Sequence, residues 1–237
     1  MAPVSISISI LFLVTVIGTV WLFYRASHKS SKVLIIISGW ALLQSALAWD
    51  GFYQQWDAMP PHVILMILPA LLFIIIICIR PGGRSFIHSL DTGMLTALHT
   101  IRVFVEIVLY YVFIKGLIPR SMTFEGSNFD ILSGITAPLV CYFGYIRRQL
   151  SNRMLLCWNF SCLALLLNVV ITALLSAKTP IQQLAFDQPN IVIGYFPFVL
   201  LASVIVPLVL FSHIACIMRL MQKEITKDYL STSHVSI

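Results

Sequence analysis

Charge is what this sequence has least of. Asp, Glu, Lys and Arg together make up 10% of its 237 residues, against 59% hydrophobic. That balance excludes an ordinary soluble domain and fits an integral membrane protein. A cysteine framework is missing as well. Cys78, Cys141, Cys157, Cys162 and Cys216 all fall in apolar stretches with no CxxC pair, so they read as small buried hydrophobes rather than disulfide or zinc ligands. No basic n-region precedes the first apolar run, and a cleaved signal peptide is not expected. The chain also lacks a G-x-S-x-G elbow, an HExxH helix and a Gly-rich phosphate loop.

What is present is length of apolar sequence. Seven stretches approach or exceed the 17–25 residues, roughly, that a spanning helix needs. They are residues 4–24, 33–49, 62–79, 95–118, 129–146, 154–175 and 190–218, followed by a tail over 219–237. Short loops leave room for one bundle and no soluble domain. Basic residues follow the odd-numbered stretches: Arg25, Lys29 and Lys32, then Arg80 and Arg84, then Arg147, Arg148 and Arg153, then Arg219, Lys223 and Lys227. The opposite loops hold Asp50, Asp57, Glu125, Asp130 and Asp187. The positive-inside rule puts the N-terminus outside and the C-terminus in the cytoplasm. The net charge of +6 is thus a topology signal, with anionic lipid as its natural partner and no nucleic acid expected.

The fourth stretch, LTALHTIRVFVEIVLYYVFIKGLI, carries His99, Arg102, Glu106 and Tyr110 at spacings that place them on one helical face. Ionisable groups at membrane depth are costly and normally face the bundle interior. Gln44 and Trp40 on the second stretch and Asn168 on the sixth should lie at comparable depth. Two readings follow. Arg102 and Glu106 form an i, i+4 pair that fixes packing, or the set lines a cavity that grips a small polar solute or passes a proton. At the outer mouth Glu125, Asn128 and Asp130 lie around Gly126, with Asn128 or Asp130 suited to cap the next helix; alternatively Asp50, Glu125 and Asp130 are the carboxylates of a membrane enzyme acting on a lipid or isoprenoid. His99 and His213, each about two turns from the inner surface, suit haem iron or another metal as a weaker alternative, without a third metal-type residue nearby. No cofactor is otherwise expected. No lysine lies in the last stretch, which argues against a retinal Schiff base.

An internal repeat is visible at constant offset: Gln54–Gln55 matches Gln182–Gln183, Pro61 matches Pro189, and Pro69 matches Pro197. Three parallel helices, a linker helix and three more would follow. That plan resembles the SWEET-type sugar transporters in helix number, orientation and length, without their Pro–Gln loop signature. The stretches HTIRVFVEIVLYY, MTFEGSNFDILSGITAP and FDQPNIVIGYFPFV resemble a group of small, uncharacterised bacterial multi-pass proteins. That likeness implies a bacterial cytoplasmic membrane and carries no activity.

The expectation is therefore an all-α, seven-span bundle that binds, and moves, a small solute or proton. A receptor or scaffold subunit is the third class, and a homo-oligomer is compatible with the pattern. Topology is directly measurable: a cysteine at Ser127 should label from outside and one at Ser151 only from the cytoplasm. The reverse pattern overturns the orientation.

Overall fold

A computed structural model describes residues 4–233 as helices joined by turns and by longer connections over residues 50–63, 115–130 and 176–198, with no strand among the described residues beyond an isolated bridge between Ala177 and Asn190. In chain order the α-helices are α1 (Ile6–Ala26), α2 (Ser31–Trp49), α3 (Ile64–Ile79), α4 (Pro81–Ser89), α5 (Thr92–Leu98), α6 (Ile101–Ile114), α7 (Ile131–Cys141), α8 (Asn152–Leu175) and α9 (Val206–Ser233). π-helical turns at Tyr142–Ile146 and Leu201–Ile205 extend α7 and lead into α9. Among the described residues five stretches are long and apolar enough to cross a membrane: Ile6–Ala26, Ser31–Trp49, Thr92–Ile114, Asn152–Leu175 and Leu201–Gln222. A sixth arises if α3 and α4, bent by 92°, form one span; Ile131–Ile146 is a shorter apolar helix.

Three boundaries differ from the sequence reading. The fourth stretch is not one continuous α-helix. At His99 and Thr100 the backbone tightens to i→i−3 bonds of 3.1–3.2 Å, so α5 and α6 join through a 3₁₀-like turn. Gly116, at φ +75°, then ends the helical run before residue 118. Residues 190–198 do not begin the last helix as expected. Val192–Gly194 is a 3₁₀ turn and Pro197 sits in the turn that follows, where its missing N–H does no harm to a helical ladder. Pro69, its partner in the repeat, instead lies inside α3. The tail expected from 219 continues as helix to Ser233; residues 234–237 lie outside the described residues.

Burial sorts the helices by role. On α1, Ile6, Ile10, Val14, Ile17 and Trp21 form an exposed stripe, while Phe12, Thr15, Val16, Thr19 and Phe23 face inward. α2 is peripheral: it buries Gln44 and Ala48. The Gln44 amide oxygen accepts from Tyr53 Oη at 2.5 Å, and burial pushes the Tyr53 hydroxyl up to about 12, so it remains a donor. The most buried span is the last, at 72% against 50% for Thr92–Ile114. α9, more than the charged fourth stretch, is the centre of the bundle. At one end of the bundle, Asp91 N donates to Ala26 O at 2.9 Å, His28 Nε2 meets Ser89 O, and Arg219 Nη1 donates to Leu90 O.

The Leu201–Ile205 turn has a local cause. Pro207 has no N–H to offer the carbonyl four residues back, Ser203 O. The indole N–H of Trp40 fills that role at 2.8 Å, pinning α2 to the start of α9. Trp40→Phe should strand this carbonyl and cost about 1–3 kcal/mol, read as a lower melting temperature. Adding Pro207→Ala should recover part of the loss.

Candidate functional site

Arg102 and Glu106 sit on the buried face of α6 with Val105, Val108, Leu109 and Val112, and both are almost fully enclosed, at 2% and 1% exposure. A guanidinium at this depth requires a counter-charge. The expected i, i+4 partner does not supply it. Arg102 Nη1 instead meets Asp130 Oδ1 at 3.1 Å and lies 3.5 Å from Cys162 O on α8. Glu106 Oε1 accepts from Asn128 Nδ2 at 2.6 Å. The same amide nitrogen reaches Met122 O at 3.0 Å, and Asn128 Oδ1 accepts from Asp130 N. The loop before α7 thus folds inward and answers both charges of α6.

Gly134 makes this approach possible. A Cβ there would stand 2.8 Å from Val103 N and 3.2 Å from Arg102 Cβ, so only glycine lets α7 come this close to α6. Of the four outer-mouth residues, Asn128 and Asp130 are buried, whereas Asp50 and Glu125 are exposed. The carboxylates therefore do not gather as one outer set. The Asp130 side chain is spent on an interior arginine and does not cap α7.

The other expected ligands scatter. Gln44 is held by Tyr53, Trp40 by Ser203, and Asn168, exposed on α8, donates to Ser127 O at 3.0 Å. Tyr110 is half-buried and stacks on Phe124 with ring centroids 5.0 Å apart. In place of these, Asn190 joins the charged group. Its Nδ2 donates to Ala173 O at 3.1 Å, and Oδ1 has no protein partner. No periodicity marks a loop asparagine for burial, so nothing local signals its place here.

Arg102, Glu106, Asp130 and Asn190 line one cavity of about 70 Å³, space for a few water-sized groups at roughly 10–15 Å³ each. Its remaining wall is apolar, from Ile67, Leu166, Val170, Phe198, Ile205 and neighbours. Arg102 Nε and Nη2, Glu106 Oε2 and Asn190 Oδ1 are buried without a hydrogen-bond partner. Such atoms are rare in a folded interior, and here all four belong to residues that line one space.

The helix break brings His99 and His213 face to face, ring centroids 3.9 Å apart and 14° from parallel. Trp158 packs edge-on to His99, and His213 Nδ1 meets Asn159 Oδ1 at 3.0 Å. The remaining three ring nitrogens have no protein partner. Stacked rings cannot present nitrogens to one iron from opposite sides, because no porphyrin fits between them. Among the described residues no group of three metal-type side chains forms.

A family model described as a domain of unknown function (DUF8737) matches residues 59–221. The chain belongs to this family. The matched stretch contains every residue of the DUF8737 chamber, from Ile67 to Val209. No curated protein and no solved structure matches.

Asp130→Asn should leave Arg102 charged and unpaired, at a cost of about 3–5 kcal/mol. Glu125→Gln, in water, should leave the melting temperature unchanged. Equal effects would mean that the buried pair anchors nothing.

Proposed function

We propose that this DUF8737 protein binds a small solute in the Arg102–Glu106–Asp130–Asn190 chamber and carries it, or a proton, across a membrane. One observation carries the reading: four unpartnered hydrogen-bonding atoms, of both donor and acceptor type, belong to residues around a single cavity in the apolar bundle. Leaving such atoms unmet is costly, and a solute with a polar end and an apolar body meets them. Its polar end would sit at Arg102 and Glu106, and its body would lie against Val170 and Phe198. The stacked histidines, in contact with the α5–α6 break, extend the polar file beyond the chamber. In this reading the short Ile131–Ile146 helix and the bent α3–α4 pair complete seven spans in a bacterial cytoplasmic membrane, with the N-terminus outside.

A thermal-shift screen of the purified protein against small carboxylic acids, amines and amino acids tests binding. A solute at a hundred times its dissociation constant should stabilise by about 2.7 kcal/mol. Glu106→Gln and Arg102→Gln should each lose that shift. Proteoliposomes loaded with a pH-sensitive dye test movement, since wild type should change internal pH when the solute or a membrane potential is applied. A protein that no solute stabilises and that passes no protons is neither carrier nor binder.

A further inference from the structure

A second cavity lies on the other side of the Leu201–Ile205 turn. It occupies a cleft among α2, α3 and α9, with α2 and α3 each packed on that turn and in little contact with one another. Its volume is about 510 Å³, within the range of pockets that hold whole ligands. The chemistry is the opposite of the chamber's. Ile36, Ile37, Ala70, Phe73, Ile77 and Leu208 form its walls. The two polar lining residues have already used their donors inside the protein: Trp40 Nε1 on Ser203 O, and Ser203 Oγ on Val199 O at 2.9 Å. An occupant of this cleft finds no free side-chain donor among apolar walls, which favours hydrocarbon.

The cleft opens on the lipid-facing side, where Ile36 and Phe73 are 55% and 50% exposed. From Pro69 to Ile79, α3 rises about 15 Å at 1.5 Å per residue, the depth of one leaflet in a core of roughly 30 Å. At its far end the cleft is bounded by Val33, Gly83 and Phe86. Lys32, Arg80 and Arg84 stand beside these in the chain, all exposed. No acidic residue lies between Arg25 and Asp50 or between Asp57 and Asp91, so α2, α3 and α4 bring no opposing charge to that end. Arg84 Nε donates to Cys78 O at 3.0 Å, which anchors the arginine at the bend. The bend itself requires Gly83, whose Cβ would stand 2.1 Å from Ile77 O.

We infer that this cleft is a lipid site, holding one acyl chain of an anionic phospholipid with the phosphate at the Lys32–Arg80–Arg84 end. Native mass spectrometry and thermal shift on the detergent-purified full chain, with dioleoyl-phosphatidylglycerol or dioleoyl-phosphatidylcholine, provide the test. Wild type should retain the glycerol lipid at least about tenfold more strongly, because Lys32, Arg80 and Arg84 attract the anionic headgroup. Lys32→Gln, Arg80→Gln and Arg84→Gln together should remove that preference and leave binding at the choline lipid's level. Ala70→Trp should fill the cleft and abolish both; Ile36→Trp does the same from the opposite wall. Equal retention of the two lipids by wild type overturns the headgroup assignment, and undiminished lipid binding in either tryptophan variant overturns the cleft. Inorganic phosphate should give no shift; a shift equal to the lipid's would mean an ion site without a chain. None of these outcomes depends on the chamber's solute.

Discussion

An arginine inside an apolar bundle demands a negative partner, and much of this architecture follows from how Arg102 obtains one. The nearest carboxylate along the helix, Glu106, is committed to Asn128. Asp130 must therefore leave the surface and approach α6. That requires the loop before α7 to fold inward, α7 to close on α6 at Gly134, and α8 to bring Cys162 O within reach. Three helices and one loop are positioned by a single charge. Burying such a pair is weak evidence for added stability, but losing one member leaves a buried charge without its partner.

Prolines impose the second constraint. In hydrocarbon a freed carbonyl has no water to turn to, so each proline in a span needs a substitute donor or a changed helical pitch. At Pro207 both are visible, with the Leu201–Ile205 π-turn and the Trp40 indole acting together. Near Pro138 in α7 a second π-turn follows, closed by Arg147 N on Tyr142 O at 2.8 Å. Widened turns of this kind collect at functional positions, and the one before α9 walls both cavities.

Helix existence and the inward face of α6 were legible because apolar length and i, i+3/i+4 spacing are local properties. The burial of His99, Arg102 and Glu106 follows from their spacing within an apolar run. Their partners were less legible, since partner choice is set by tertiary approach. Nothing local distinguishes Asp130, which turns inward, from Glu125, which remains exposed five residues earlier. The Pro197 region read as helix because its composition is apolar, yet its backbone is turn and 3₁₀. Hydropathy reports the solvent a segment prefers, and prolines with backbone hydrogen bonds decide its shape. The stacked histidines stood at similar estimated depths in the sequence, but depth alone does not bring two rings to 3.9 Å.

The π-turn Leu201–Ile205 presents alternate sides to the two cavities. Leu201, Ala202 and Ile205 face the chamber, and Ser203 and Val204 face the cleft. A close-packed wall one turn thick transmits strain rather than absorbing it. If an acyl chain in the cleft shifts that wall and changes the chamber's affinity by some factor, the chamber's occupant must change the lipid's affinity by the same factor. The surrounding bilayer then ceases to be a passive solvent and becomes an effector of the site.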